Sequence, residues 1–362
     1  DAIDICTKPL ECGYIAGEEI LQSWDVEKIA LTLMLSACGA FTSLTITSHL
    51  THCRNKMWYW IFTIAAGLGI GFNTVWCMHF VGMGALHLDG GKESGAQGRL
   101  MIQFEASFTI VSCIAAWIIA ATGLHIMAGR NVEKRAKVDL EMCVRLALAS
   151  TLIALGVCVM HYMGMVSQTG HFTTHYSPGV VAASVIIALV AASAGLLLLL
   201  ILPNSMLTRL ISSVVIAVAV NGMHYVGMLA AHYQVTPDIT VLVSPVVWNV
   251  NDNTVSVIAL VLDLALYTVC NFYGDAQKRE LEQLRQVEDT RKEQTLQRTV
   301  TAAIRSVEEL GHPMIVIKAP DFLELCIEEV GRLHEEYRAT GHLKVFDTKA
   351  DVYEAKANGA FI

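Results

Sequence analysis

Seven apolar segments constrain the fold of this chain more than any other feature of its sequence. They lie between residues 26 and 273 and carry few charged side chains. Apolar segments of about 18 residues or more cross the hydrocarbon core of a bilayer as helices, because a helix satisfies its own backbone hydrogen bonds there. The predicted spans are 26–48, 57–84, 102–127, 141–166, 178–202, 207–231 and 253–273.

The composition agrees with a membrane protein. Hydrophobic residues make up 54% of the chain and charged residues only 16%, whereas soluble domains carry about 25% charged residues. The formal net charge is −8, and no stripe of basic side chains stands out. We therefore expect no nucleic-acid partner, and we expect the lipid bilayer to surround most of the chain.

Basic residues between the spans predict the orientation of the chain. Lys and Arg follow the first and third spans and lie between the fifth and sixth, whereas none follows the fourth or sixth span. Cytoplasmic loops carry the excess of Lys and Arg, so we expect the N-terminus outside and the C-terminus in the cytoplasm. Lys92 and Arg99, after the second span, run against this pattern. Cys6 and Cys12 in the outer segment form either a disulfide or two free thiols.

One six-residue phrase occurs three times, in the second, fourth and sixth spans. It reads MHFVGM at 78–83, MHYMGM at 160–165 and MHYVGM at 223–228. These spans run in the same direction, so each copy lies near the outer end of its helix. The sequence therefore predicts an all-α membrane protein built from three helix pairs and a seventh span, with the three copies at one depth.

Helical spacing pairs each histidine of the phrase with the methionine four residues later, on the same face. The pairs are His79 with Met83, His161 with Met165, and His224 with Met228. The methionine before each histidine points about 100° away. Imidazole and thioether together suit copper, above all Cu(I), and also ligate haem iron. Three histidines alone suit zinc, which leaves the methionines unexplained. Packing of duplicated helices is the alternative without metal.

Further candidate residues lie beside the three copies. His87 and His232 continue two of the histidine–methionine series by one turn, and His171 and His175 lie in the outer segment after the fourth span. These four are either additional ligands or polar residues at the membrane interface.

Two carboxylates lie within or at the ends of spans, where ionisable residues are costly and are candidate functional groups. Glu105 begins the third span and either orients a histidine of the layer or faces water. Asp263 lies in the middle of the seventh span, as a hydrogen-bonded structural group or as part of a proton or signal path.

The three phrases resemble the signature of the MHYT family of integral membrane sensor domains, and the resemblance covers about residues 27–231. It implies a six-span domain that binds copper through Met and His, senses oxygen, carbon monoxide or nitric oxide, and signals to a cytoplasmic region. The fourth position of the signature departs from the family, because Val81, Met163 and Val226 replace Thr. By position, the implied ligands are Met78 with His79, Met160 with His161, and Met223 with His224.

The segment after the seventh span is polar and predicts a cytoplasmic helix over 274–310. Five apolar residues spaced four and three apart predict either a seam through which two copies pair, at 296–310, or a solvated amphipathic helix. They are Leu296, Val300, Ala303, Val307 and Leu310. The predicted organisation is an outer segment 1–26, the six-span domain 27–231, the seventh span 253–273, the helix 274–310, and a small α/β-like segment 311–362. The tail is more similar to fungal than to bacterial members of the family.

The sequence lacks a phosphate-binding loop, a kinase signature, an HExxH motif and the motifs of diguanylate cyclases and phosphodiesterases. We therefore expect that the protein is not an enzyme and that any catalytic output belongs to an unknown cytoplasmic partner or to a part outside this chain. The leading hypothesis is a metal-dependent sensor of a diatomic gas or of redox state. The alternatives are a transporter or redox protein that handles copper, electrons or protons, and a seven-span receptor for an extracellular small molecule.

Overall fold

Seven long apolar helices form the fold, as the sequence predicts. The computed structural model describes residues 5–50, 53, 55–96, 98–128, 140–201, 205–237, 247–248 and 252–310. Within these residues, seven helices are long and apolar enough to cross a membrane. They are α1 Val26–Leu50, α2 Lys56–Met83, α3 Ala106–Ala128, α4 Leu140–Val166, α5 Pro178–Ile201, α6 Met206–Leu229 and α7 Asp252–Leu310. The chain is an integral membrane protein.

The first six helices close into a ring. Helices α1 and α2, α3 and α4, and α5 and α6 pack as three pairs, and α2 contacts α3, α4 contacts α5, and α6 contacts α1. Each pair brings one copy of the phrase, at the end of its second helix. The ring therefore repeats one helix pair three times, and the closing contact between α6 and α1 makes the three copies neighbours of one another.

Helix α7 packs on the first pair. Its Ala259 lies in an apolar cluster with Leu35 of α1 and Val81 of α2. Nearer the tail, His49 Nε2 lies 2.9 Å from Asn271 Oδ1. The helix continues without a break through the predicted end of the span at 273 and ends at Leu310.

Helix α2 contains a π-helical stretch, Gly69–Cys77, that ends directly before the first copy of the phrase. Such wider turns are rare and are frequently found at functional sites. This stretch carries Asn73, whose side-chain Nδ2 donates to Asp263 Oδ1 of α7 at 2.5 Å. The fully buried amide thus joins the helix of His79 to α7.

Within the described residues, nine short strands lie at the end of the ring that carries the three phrases, where the sequence predicted an outer segment, loops and, at 103–105, part of the third span. They are β1 Ile5–Cys6, β2 Ile20–Trp24, β3 Leu86–Gly91, β4 Arg99–Leu100, β5 Gln103–Glu105, β6 Gln168–Thr169, β7 Phe172–Tyr176, β8 Ala231–Val235 and β9 Val247–Trp248. They form sheets of order β1-β4-β3-β2, β6-β5-β9 and β7-β8. We call the strands and the described residues that join them the strand cap.

The strand cap has an apolar core that is continuous with the ring. Leu88, Phe172 and Tyr233 of the cap share one buried cluster with Phe80 and Met83 of the first phrase. The N-terminal segment belongs to this cap, and a disulfide joins Cys6 to Cys12. The third helix begins at Ala106 rather than at the predicted residue 102, because residues 103–105 pair as β5.

The predicted domain boundaries stay predictions. Residues 311–362 and most of the basic residues between the spans lie outside the described residues; these basic residues are Arg54, Arg130, Lys134, Arg135 and Lys137. The backbone of 296–310 continues α7, and pairing of two copies through it stays a prediction.

A buried carboxylate fastens the N-terminal segment to the cap. Glu18 accepts hydrogen bonds from the backbone N–H of Ile15 (2.6 Å), Glu93 (3.2 Å) and Ser94 (2.9 Å), and from the Ser94 hydroxyl (2.7 Å). Burial acts to raise the pKa of this carboxyl, but these hydrogen bonds outweigh it and hold the pKa below its usual value. The stabilisation is therefore present above the pKa of the unfolded chain, about 4.3, and is lost as the pH falls through the lower folded pKa.

Replacing Glu18 by Gln should speed hydrogen exchange at the amides of Glu93 and Ser94 at neutral pH, because a neutral amide oxygen accepts these bonds less strongly. In the wild type the same amides should lose protection only below about pH 4. Glu11→Gln is the matched control, because the Glu11 carboxylate forms an exposed ion pair with Lys8, three residues away. Equal protection in Glu18→Gln and Glu11→Gln would contradict the proposed fastening.

Candidate metal centre

Three histidines from three helices meet inside the ring. His79 of α2, His161 of α4 and His224 of α6 are each at most 1% exposed. Their Nδ1 atoms form a triangle with sides of 3.1, 3.2 and 3.3 Å. The rings stand edge to face, with centroids 5.0–5.2 Å apart. In the described part of the chain, no other group of three or more His, Cys, Asp or Glu side chains lies close enough to share a metal ion.

Three neutral imidazoles cannot satisfy this triangle by hydrogen bonds among themselves. Each Nδ1 atom either donates or accepts, so in any triangle two neighbouring atoms have the same role. A cation between them would meet all three lone pairs. A point equidistant from the three atoms lies about 1.9 Å from each, close to the 2.0–2.1 Å of a zinc–nitrogen bond. The donors therefore fit a small metal ion held by three Nδ1 atoms.

The glycine of each phrase makes room for a histidine of another helix. A Cβ atom at any of the three glycines would clash with the Nε2 atom of that histidine. The pairs are His79 on Gly164, His161 on Gly227, and His224 on Gly82. The three Nε2 atoms are buried and have no hydrogen-bond partner among the described residues. Each imidazole is therefore held in place by close packing against the glycine of another helix that carries the phrase.

The aromatic residue after each histidine contacts a neighbouring part of the fold. The Tyr162 hydroxyl lies 2.6 Å from Ser184 Oγ of α5, and the Tyr225 hydroxyl lies 3.0 Å from Thr32 Oγ1 of α1. Phe80, which has no hydroxyl, packs instead in the apolar cluster shared with the strand cap. The two hydroxyl contacts bridge successive helix pairs, so they help to hold the three histidines in register.

The structure separates the two sets of candidate methionines. The later set lies together in the apolar cluster between the histidines and the strand cap; it comprises Met83, Met165 and Met228. In the earlier set, Met160 packs with Val75 and Met223 packs with Ala154, in separate clusters, and Met78 is 1% exposed. Which methionines contribute sulfur to a metal stays a prediction.

One buried polar residue near these methionines was not singled out from the sequence. Gln168 donates from Nε2 to the sulfur of Met83 at 3.6 Å and accepts from the Tyr233 hydroxyl at 2.9 Å. The hydrogen bond from Gln168 therefore occupies the side of the Met83 sulfur that faces the strand cap. No sequence signal could have found Gln168, because it lies in a polar segment with no periodic pattern.

The other candidate histidines lie in the strand cap and do not join the metal group. His87 is on β3, and His175 and His232 face each other across the β7–β8 pair. His232 Nδ1 also lies 3.4 Å from Glu19 Oε1 at the surface. His171 Nδ1 lies 3.0 Å from a backbone carbonyl oxygen.

The two carboxylates singled out from the sequence are both buried. Glu105 ends β5, where Ser107 Oγ donates to its Oε1 at 3.0 Å and its own N–H donates to the Ser167 carbonyl at 2.7 Å. Asp263 accepts the bond from Asn73 described above. The contacts thus place Glu105 at the junction of cap and ring, and Asp263 between α7 and α2.

The geometry discriminates among the candidate metals and cofactors. Copper and zinc both bind imidazole and both fit the space between three Nδ1 atoms. A haem ligated by two of these histidines does not fit, because its ring would have to separate the axial nitrogens, and atoms 3.1–3.3 Å apart leave no space for it.

Comparison with known proteins agrees with this arrangement. Residues 73–138 and 155–213 match the MHYT family, described as "Bacterial signalling protein N terminal repeat". The chain is therefore similar to the MHYT family over these two segments. The two matched segments include the first and second copies of the phrase, and the third copy at 223–228 lies beyond them. No solved structure matches the chain significantly.

Three curated bacterial signalling proteins are similar to this chain. The cyclic di-GMP phosphodiesterase NbdA of Pseudomonas aeruginosa is 28% identical over 209 residues, which is 56% of this chain and 24% of NbdA. The signaling protein YkoW of Bacillus subtilis is 24% identical over 90% of this chain and 38% of its own length. The bifunctional diguanylate cyclase/cyclic di-GMP phosphodiesterase MucR of Pseudomonas aeruginosa is 24% identical over 59% and 29%.

These relatives correct one expectation. The absence of catalytic motifs led us to expect that the protein is not an enzyme, and that expectation is wrong, since two of the relatives are named as cyclic di-GMP enzymes. The chain spans only about a quarter to two fifths of the length of the relatives it matches. A motif search of this chain therefore tests only a part of what such proteins contain.

Proposed function

We propose that this protein is a membrane sensor that binds copper at His79, His161 and His224 and responds to a diatomic gas (O2, CO or NO) or to redox state. The triangle of buried Nδ1 atoms carries this proposal, because it offers three soft-to-borderline nitrogen donors and no competing carboxylate. Copper, when bound, supplies redox change and affinity for diatomic ligands. The protein supplies fixed donors, and the strand cap keeps water away from them.

We propose that the signal leaves through α7. The bond between Asn73 and Asp263 links the π-helical stretch before His79 to α7, which continues to Leu310. A displacement of His79 is therefore transmitted to α7 through this direct contact, without movement of a loop. The receiving group is a cytoplasmic partner or a part outside this chain, and two copies pair through 296–310.

We propose that the strand cap faces the outside and that the tail is cytoplasmic. Lys56 begins α2 and Arg209 lies in the first turn of α6, and both helices end at the cap. The basic ends are therefore opposite the cap, as the positive-inside rule requires. The disulfide of Cys6 and Cys12 supports the same orientation, because disulfides persist in oxidising compartments.

The alternatives receive less support. A copper transporter or proton pathway needs polar groups on both sides of the histidines, whereas an apolar cluster lies on the cap side and an apolar cavity on the other. A receptor for an extracellular small molecule leaves the histidine triangle without a role.

Metal content by mass spectrometry of the detergent-purified protein tests the proposal. We expect one copper per chain in the wild type and none in a folded His79→Ala, His161→Ala, His224→Ala variant. His87→Ala with His232→Ala is the matched control, because these histidines lie in the strand cap. Copper at about 100 times its Kd should also stabilise the wild type by about 2.7 kcal/mol. A wild type that stays metal-free after copper loading, or that takes up only zinc, would overturn the copper proposal.

A further inference from the structure

A cavity lies inside the ring on the side of the histidines that faces away from the strand cap. Its volume is about 70 Å³, and all six helices of the ring line it. Three of its lining residues are Val75, Val157 and Val220. Each valine precedes a histidine of the triangle by four residues, which is about one helical turn. The three valines therefore form the wall between the cavity and the triangle.

The cavity offers no hydrogen-bond donor to water. Its three hydroxyl groups all donate to backbone carbonyls: Ser43 to Ala66 at 2.8 Å, Thr47 to Ser43 at 2.8 Å, and Thr74 to Gly69 at 3.0 Å. The rest of the lining is aliphatic, including Ile153, Leu196 and Ile216. A buried water needs two to four polar partners, and an apolar cavity without them stays dry.

The volume decides what the cavity can hold. An engineered apolar cavity of about 150 Å³ stays dry and binds benzene or xenon. A cavity of half that volume holds one or two atoms or diatomic molecules. A dry, uncharged site at membrane depth suits molecules that dissolve better in hydrocarbon than in water.

We propose that this cavity is a binding site for small apolar molecules, and that it holds the diatomic gas next to the histidine triangle. Holding of the gas next to the triangle rests on the proposed function, whereas binding of small apolar molecules in the cavity does not. A smaller cavity adjoins it at Val75 and Val157 and reaches Ile119 of α3. This places the approach of the gas on the bilayer side of the triangle, between α3 and α4, rather than through the strand cap.

Xenon is the probe for the cavity itself. Xenon NMR on the wild-type protein in nanodiscs should show a saturable protein-bound signal, with or without copper. Val157→Phe and Ala192→Leu fill the cavity from α4 and from α5, and each should remove that signal. Val159→Phe is the matched control, because Val159 lies two residues away on α4 and is 37% exposed on the outer face. Loss of the signal in Val159→Phe, or its absence from the wild type, would overturn the inference.

Carbon monoxide tests the link to the metal. In copper-loaded protein, Val157→Phe and Ala192→Leu should keep the wild-type copper content but bind carbon monoxide several-fold more slowly than Val159→Phe. Unchanged rates would show that the gas arrives by another route, even if xenon binds the cavity. If no variant and no wild-type sample binds copper, the proposed function fails, whereas the xenon result still decides whether the cavity is a binding site.

Discussion

Gly227→Ala is expected to destabilise the protein by about 1–3 kcal/mol, the usual cost of inserting a methyl group into a packed core. Gly222→Ala, five residues earlier in the same helix, should be neutral or slightly stabilising, because a Cβ there meets nothing within 4 Å. At Gly227 the new Cβ meets the Nε2 of His161. The histidine must then move, and the triangle opens.

The same change should abolish copper binding. A shift of one Nδ1 atom by half an ångström or more removes it from bonding distance of a metal held by the other two, and positioning of this accuracy is what metal sites require. Denaturant unfolding in micelles and metal analysis measure the two effects together. Gly164→Ala should behave like Gly227→Ala, because its Cβ meets His79. If Gly227→Ala were as stable and as rich in copper as Gly222→Ala, the interlocking of histidines and glycines would be refuted.

The second large effect is expected at the bond between α2 and α7. Asn73→Ala removes one of two side-chain donors to Asp263, which is only 4% exposed; the other donor is the Thr42 hydroxyl. A buried acceptor left without its partner costs about 1–3 kcal/mol, and more if it is charged. Because Thr42 still donates to Asp263, we expect a loss toward the lower end of this range, with faster hydrogen exchange along the first turns of α7 and unchanged copper content.

Asn221→Ala is the matched control for this prediction. Asn221 is also a buried amide in a helix that carries the phrase, but it donates to Ser36 of α1 and does not contact Asp263. It should destabilise the ring without loosening α7. Adding Asp263→Leu to Asn73→Ala should recover part of the stability, because removing both partners leaves no unsatisfied group. Equal exchange along α7 in Asn73→Ala and Asn221→Ala would show that Asp263 does not fasten α7.

Some features of this protein follow from the sequence alone, because they depend on local chemistry. The seven helices follow from the length of apolar segments relative to the thickness of a bilayer. The boundaries agree within about four residues, except for α7, whose polar continuation gives no helix-ending signal before Gly311. The threefold repeat predicted that His79, His161 and His224 lie at one depth. The three spans that carry them cross the bilayer in the same direction, so equivalent positions lie at the same depth.

Other features were decided only by the tertiary structure, because they depend on contacts between distant residues. Two-residue strands such as β1 and β6 form no periodic pattern, so the cap was predicted as loops. Spacing along one helix could not show that Nδ1 atoms converge while Nε2 atoms face glycines of the next helix. Nor could it pair Asn73 with Asp263, 190 residues away. The sequence determined which residues share a layer, and the closing of the six-helix ring decided which atoms meet within it.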